Sequence, residues 1–206
     1  MRTHPNRGKV IEWATSCDVS TLSPEGEKIP TAQASDQVFL SKLSRKKLLD
    51  LLQYQVRNIW RVDGLYFLGI EREFGTEAAS KIDKACWSTM GTLEARQLKE
   101  VIGGREWSVP RIIETLRLTS WALDHEDHKE VEAHRGRALF RVVSCRTQLA
   151  RIRKGLTEFP CRAVRESYLK AFVRELNSDV AVTCKICPPG PHPPGAWCEW
   201  EFSRSA

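Results

Sequence analysis

The densest chemistry in the chain lies in the stretch Cys184-Lys185-Ile186-Cys187-Pro188-Pro189-Gly190-Pro191-His192-Pro193-Pro194-Gly195-Ala196-Trp197-Cys198. Two thiols separated by two residues can grip one cation, because the turn between them aims both sulfurs at one point. Cys198 follows after a connector that five prolines stiffen, which lowers the entropy cost of closing it. A tetrahedral site needs a fourth ligand. Cys161 is the first candidate, at the head of an amphipathic segment; His192, inside the loop, and Cys145 are the alternatives. The spacing therefore points to a metal on Cys161, Cys184, Cys187 and Cys198, either zinc or an iron–sulfur cluster, with zinc the simpler fit.

A second chemistry uses the same sulfurs without metal. A thiolate at a helix N-terminus or beside arginine has a lowered pKa and is a better nucleophile. Cys161 should head a helix over 162–176 with Arg162 and Arg165 nearby. Cys145 should head one carrying Arg146, Gln148 and Arg151. Under this reading Cys161 or Cys145 is the catalytic nucleophile. Under either reading, with the metal or without it, Arg146, Gln148, Arg151 and Arg162 would line a site for a small anionic molecule.

Charge supports an anionic partner. Eleven Lys/Arg between Arg135 and Arg174 face only Glu158 and Glu166, whereas the whole chain carries +6. Such a concentrated field gathers anions. No phosphate-cradling loop, aromatic RNP pattern or finger repeat accompanies it, which disfavours nucleic acid. His128, Glu130, Glu132 and His134 share one strand parity and read as a solvent-facing side. Glu71 and Glu73 read as surface charge. No GxSxG, HExxH or EF-hand pattern occurs.

These residues need elements to position them. Residues 1–40 lack periodicity and read as a loose arm. Over 41–119 the pattern is helical. Leu48, Leu51, Leu52, Val56, Ile59 and Trp60 mark one face, with a break expected at Asp63-Gly64. Ala79, Ile82, Cys86, Met90 and Leu93 mark another face over 76–102, which ends at Gly103-Gly104. Ser108-Val109-Pro110 opens a shorter helix. From 120 to 206 the texture changes: Trp121–His125, Lys129–His134, Ala138–Val143, Val180–Val182 and Trp197–Phe202 read as strands, with helices over 145–154 and 162–176. The fold class is α+β, a helical N-terminal lobe followed by an antiparallel sheet packed with two helices. With 41% hydrophobic residues the chain can bury a core. No apolar run reaches the roughly 20 residues of a membrane span. An odd count of seven cysteines and no apolar leader point to a cytoplasmic protein with reduced thiols. A homodimer stays open.

Three blocks of residues resemble an uncharacterised, DUF6125-like family of archaeal and anaerobic-bacterial cytosolic proteins. The first is Asp63-Gly64-Leu65-Tyr66-Phe67 with Glu71-Arg72-Glu73-Phe74-Gly75, Cys86-Trp87 and Glu94–Lys99. The second is Cys145–Arg151 with Gly155 and Glu158-Phe159-Pro160-Cys161. The third is Cys184–Pro189 with Trp197–Phe202. More remotely, the layout of Cys145, Cys161 and Cys198-x-Trp200-x-Phe202 is similar to the L-2-amino-thiazoline-4-carboxylate hydrolase family and to domains of the 4-vinyl reductase type. The first of these likenesses implies thiol-dependent opening of a small cyclic amidine. The Cys-x-x-Cys-Pro-Pro element is an addition to that pattern and favours a metal-bearing relative.

Overall fold

Two long helices make up most of the first half, and glycines in left-handed conformations set their ends. The computed structural model describes residues 34–125 and 128–204. Helix α1 (Ala34–Ser41) falls in what the sequence presented as the end of a loose arm, and residues 1–33 of that arm lie outside the described residues. Helix α2 (Arg45–Phe74) starts where the Ser44 side chain accepts the Lys47 N–H, and stops at Gly75, whose φ is +87°. The break expected at Asp63-Gly64 does not occur. Glycine inside a helix costs only about 1 kcal/mol relative to alanine. The flanking contacts outweigh it: Trp60 stacks on Trp87 of the next helix at 4.6 Å, and Asp63 accepts the Trp87 indole N–H at 3.0 Å.

Helix α3 (Thr76–Ile102) runs to Gly103, φ +67°, as the sequence indicates. Its buried stripe is Ala79, Asp83, Trp87, Gly91 and Ala95, which shares only Ala79 with the expected one, and Cys86 is exposed. The small residues in that stripe admit a neighbouring backbone. A Cβ on Gly91 would lie 2.4 Å from the Tyr168 carbonyl oxygen of helix α7. On α2 the expected apolar face is likewise not the buried one: Val56 is buried, whereas Leu48, Leu51, Leu52 and Ile59 are exposed.

Helix α4 (Val109–Leu116) opens after Ser108 with Pro110 in its first turn. The segment expected as a strand at Trp121–His125 is instead the short helix α5 (Ser120–Asp124). The Thr119 hydroxyl caps it by accepting the Ala122 N–H at 3.3 Å, and Trp121 stacks on Phe140 at 4.8 Å. Strands β1 (Lys129–His134) and β2 (Arg137–Val142), helices α6 (Arg146–Arg153) and α7 (Arg162–Leu176), and strands β3 (Val180–Ile186) and β4 (Cys198–Arg204) complete the chain.

The sheet order is β1-β2-β4-β3, antiparallel throughout. Strand alternation sorts its faces. Cys198, Trp200 and Phe202 of β4 and Ala138, Phe140 and Val142 of β2 point inward and are buried. Outside, Glu199 pairs with Arg141 at 2.6 Å and Glu201 pairs with Arg137. Glu130, Glu132 and His134 are exposed on edge strand β1, as their parity indicated. Helix α7 buries Tyr168, Leu169, Phe172 and Val173 and is sandwiched between the sheet and α3. The α+β architecture is therefore the one expected from the sequence, with the helical half forming a roof over the start of α7.

Candidate functional site: a thiol cluster beneath a buried acid pair

The start of α7 is where distant segments meet. Cys161 stands at its N-cap position, and Cys145 holds the same place before α6. Gln148 of α6 is fully buried and clasps the loop ahead of Cys161: its side-chain N–H donates to the Phe159 carbonyl and its oxygen accepts the Phe159 N–H, both at 2.8 Å. The same amide nitrogen lies 3.7 Å from the Cys161 Sγ. From the other side, the Arg162 N–H donates to the Pro188 carbonyl at 3.0 Å, drawing in the loop after β3. Cys187 thereby arrives with its Sγ 3.5 Å from that of Cys161.

Of the four sulfurs expected to converge, Cys161 and Cys187 are in direct contact. Cys198 is buried at the head of β4, near enough to Cys161 and Cys145 to feel their charge. His192 is engaged elsewhere, 3.4 Å from Glu158 and against the Trp197 ring. Among the described residues, no group of three or more His, Cys, Asp or Glu side chains is arranged to hold a metal ion.

The electrostatics single out one thiol. The hydrogen bond shared with Cys187, with the Arg165 charge and the Gln148 amide, holds Cys161 below the ordinary thiol range despite its burial. The others go the opposite way. Burial pushes Cys145 up to about 11 and also raises Cys184 and Cys198. The Cys161 sulfur, then burial, raises Cys187. The cluster thus favours a single negative charge, carried on Cys161.

Cys145, Cys161 and Cys198 line a small cavity of about 50 Å³. Asp63, Asp83 and Trp87 of the roof close it above, and Arg165 and His125 border it. Asp83 lies near Asp63, and burial followed by the Asp63 charge pushes Asp83 up to about 7. Asp63 is raised as well, by burial. Burial holds His125 neutral, down to about 4, with its Nδ1 2.7 Å from the Trp121 carbonyl. Arg165 is only 9% exposed, and its guanidinium sits amid the rings of Trp121, Tyr168, Trp60 and Trp87 at 4.6–5.6 Å. Its Nη1 is buried without a hydrogen-bond partner among the described residues. An unsatisfied buried donor of this kind is costly unless a ligand meets it.

A second, wider cavity of about 390 Å³ adjoins the first. The two share seven lining residues, among them Asp63, Asp83, Arg146 and Phe159. The exposed Arg61, Arg153 and Lys154 line the wider cavity, giving it a cationic mouth.

Residues 41–204 match a family described only as being of unknown function. The chain belongs to DUF6125. No curated protein and no solved structure matches it.

The expected ligand-binding residues fall in different places. Arg146 lines both cavities and pairs with Asp124 at 2.7 Å. Gln148 and Cys161 line the inner cavity. Arg151 lines the outer one, with its guanidinium held by Glu71. Arg162 lies on a separate surface depression with Glu77 and Pro189. Sequence reasoning missed Asp63, taken as part of a break, and Asp83 altogether. The available signal was the four-residue spacing of Ala79, Asp83 and Trp87, which puts an acid on a helix's buried stripe.

Proposed function

We propose that this protein acts on a small anionic molecule through Cys161 as a thiolate nucleophile. The observation that supports the reading is that Cys161, alone among five clustered cysteines, is held toward its thiolate form, by Cys187 at 3.5 Å and Gln148 at 3.7 Å, while it borders a cavity. The cationic mouth would draw in the substrate's anionic group. The Cys161 sulfur would form a bond to an electrophilic carbon, such as the ring carbon of a cyclic amidine like 2-aminothiazoline-4-carboxylate. A ring bond at that carbon would break, and the leaving atom would take a proton from Asp83, whose raised pKa keeps a proton available near neutrality. Water would then cleave the thiol adduct and free Cys161.

The test is ring opening of that compound by the purified protein, followed as new free thiol. Cys161→Ser is expected to abolish turnover with the fold intact, and a variant as active as the parent would refute the reading.

A second reading has one observation in its favour. Zinc–sulfur bonds of about 2.3 Å in a tetrahedral site put two sulfurs roughly 3.8 Å apart, near the 3.5 Å between Cys161 and Cys187. Under it, Cys161, Cys184, Cys187 and Cys198 hold zinc or an iron–sulfur cluster. Elemental analysis of anaerobically purified protein separates the two: near-stoichiometric zinc or iron supports the metal centre, and metal-free protein with a reactive Cys161 supports the nucleophile.

A further inference from the structure

The proximity of Cys187 to Cys161 has no part in carbon chemistry beyond stabilising a charge, yet it gives a neighbouring sulfur for a different reaction. We propose that Cys161 and Cys187 together reduce a small disulfide bearing carboxylates, Cys161 attacking and Cys187 resolving. The inference rests on Cys161 being the nucleophile of the preceding section, and position assigns the two roles.

Three observations carry it. The two sulfurs, 26 residues apart in sequence, are 3.5 Å apart. Closing them to a disulfide of about 2.05 Å takes a movement of roughly 1.5 Å. The Arg162-to-Pro188 backbone bond holds the two segments in place for it. Second, exposure is divided between them. Cys161 borders the inner cavity, whereas Cys187 is only 4% exposed, so the sulfur best placed for Cys187 to attack is one already bonded to Cys161. Third, the wider cavity that shares a boundary with the one bordered by Cys161 is lined by Arg61, Arg153 and Lys154, which favours a disulfide with negative groups.

The steps balance. The Cys161 thiolate forms a bond to one sulfur of the small disulfide, the S–S bond breaks, and the other half leaves as a thiolate. Cys187 gives up its proton to that thiolate, and its sulfur attacks Cys161, expelling the second half as a thiolate. The protein's two thiols are oxidised to one disulfide, and the small disulfide is reduced to two thiols.

The probe is 5,5′-dithiobis(2-nitrobenzoate), a small dianionic disulfide, added to the full chain at neutral pH with peptide-level mass spectrometry. The native protein should release two nitrobenzoate thiols for each Cys161 that reacts and yield a Cys161–Cys187 cross-linked peptide lighter by two hydrogens. Cys187→Ser should stop at a nitrobenzoate adduct on Cys161 with one thiol released there. Cys187→Ala serves if the serine hydroxyl disturbs the fold. An adduct that persists on Cys161 in the native protein, with no cross-link, overturns the inference and leaves the nucleophile reading standing. An unmodified Cys161 in all the proteins overturns both.

Discussion

Arg151 and Glu71, eighty residues apart, form a two-pronged ion pair with N–O distances of 2.8 and 2.9 Å. It joins α6 to the last turn of α2 and so fixes the helical roof over the thiols. Both side chains are mostly buried, at 7% and 15% exposure. Removing one partner of such a pair strands the other. Arg151→Ala is expected to cost about 3 kcal/mol in urea unfolding. Hydrogen bonding to Arg151 holds Glu71 below the usual carboxylate range. This stabilisation is therefore fully present above the unfolded carboxylate pKa and is lost as pH falls through the folded one. The gap between parent and variant should shrink in acid. A gap that stays constant with pH would contradict the assignment.

Asp83 and His125 should oppose each other in the pH dependence of stability. Asp83 is raised from 3.8 to about 7, so the folded state binds more protons than the unfolded one in that window, and stability falls as pH rises through it. His125 is lowered from 6.5 to about 4, so the unfolded state binds more protons there, and stability rises with pH between those values. Asp83→Asn removes the first effect. The variant should be more stable than the parent above neutral pH, by on the order of 2 kcal/mol, and should lose stability more steeply below pH 6.5. Thermal unfolding from pH 4 to 8 measures both changes. Parallel curves for the two proteins would rule out a buried, proton-holding Asp83.

Gly91→Ala sets two effects of different size against each other. Alanine gains about 1 kcal/mol in helix propensity. The new methyl would sit 2.4 Å from a backbone oxygen of α7, which cannot rotate away. Overpacking of this kind costs about 1–3 kcal/mol, so net destabilisation is expected in denaturant unfolding. An unchanged or raised midpoint would mean that α3 and α7 are not in such close contact.

The parts of this fold legible from sequence are those with local causes. Helix α7 reads directly because its apolar residues keep helical spacing from Val164 to Leu176 and Asn177 ends it. Gly103 ends α3 for reasons local to one residue, and Cys198, Trp200 and Phe202 alternate as a half-buried strand must. The failures are tertiary. Trp121-Ala122-Leu123 has strand composition, and what makes it helical is a cap from Thr119 and a ring contact with Phe140. Asp63-Gly64 has turn composition, and what keeps it helical is an indole donated from another helix. At the site, the candidate sulfurs could be named from spacing, but the contact of Cys187 with Cys161 depends on how one loop docks against α7. The acid pair and Arg165 come from three helices, and no spacing rule links residues 63, 83 and 165.

The central claim is that Cys161 alone among the clustered thiols ionises readily, and the pH dependence of alkylation tests it directly. Iodoacetamide labelling of the native protein, resolved by peptide, should modify Cys161 with a midpoint below the roughly 8.5 of a free thiol, and faster at neutral pH than the more exposed Cys86. Cys145 and Cys198 should stay unlabelled until the protein unfolds. A midpoint for Cys161 at or above that of a free thiol, or labelling no faster than at Cys86, would contradict the account.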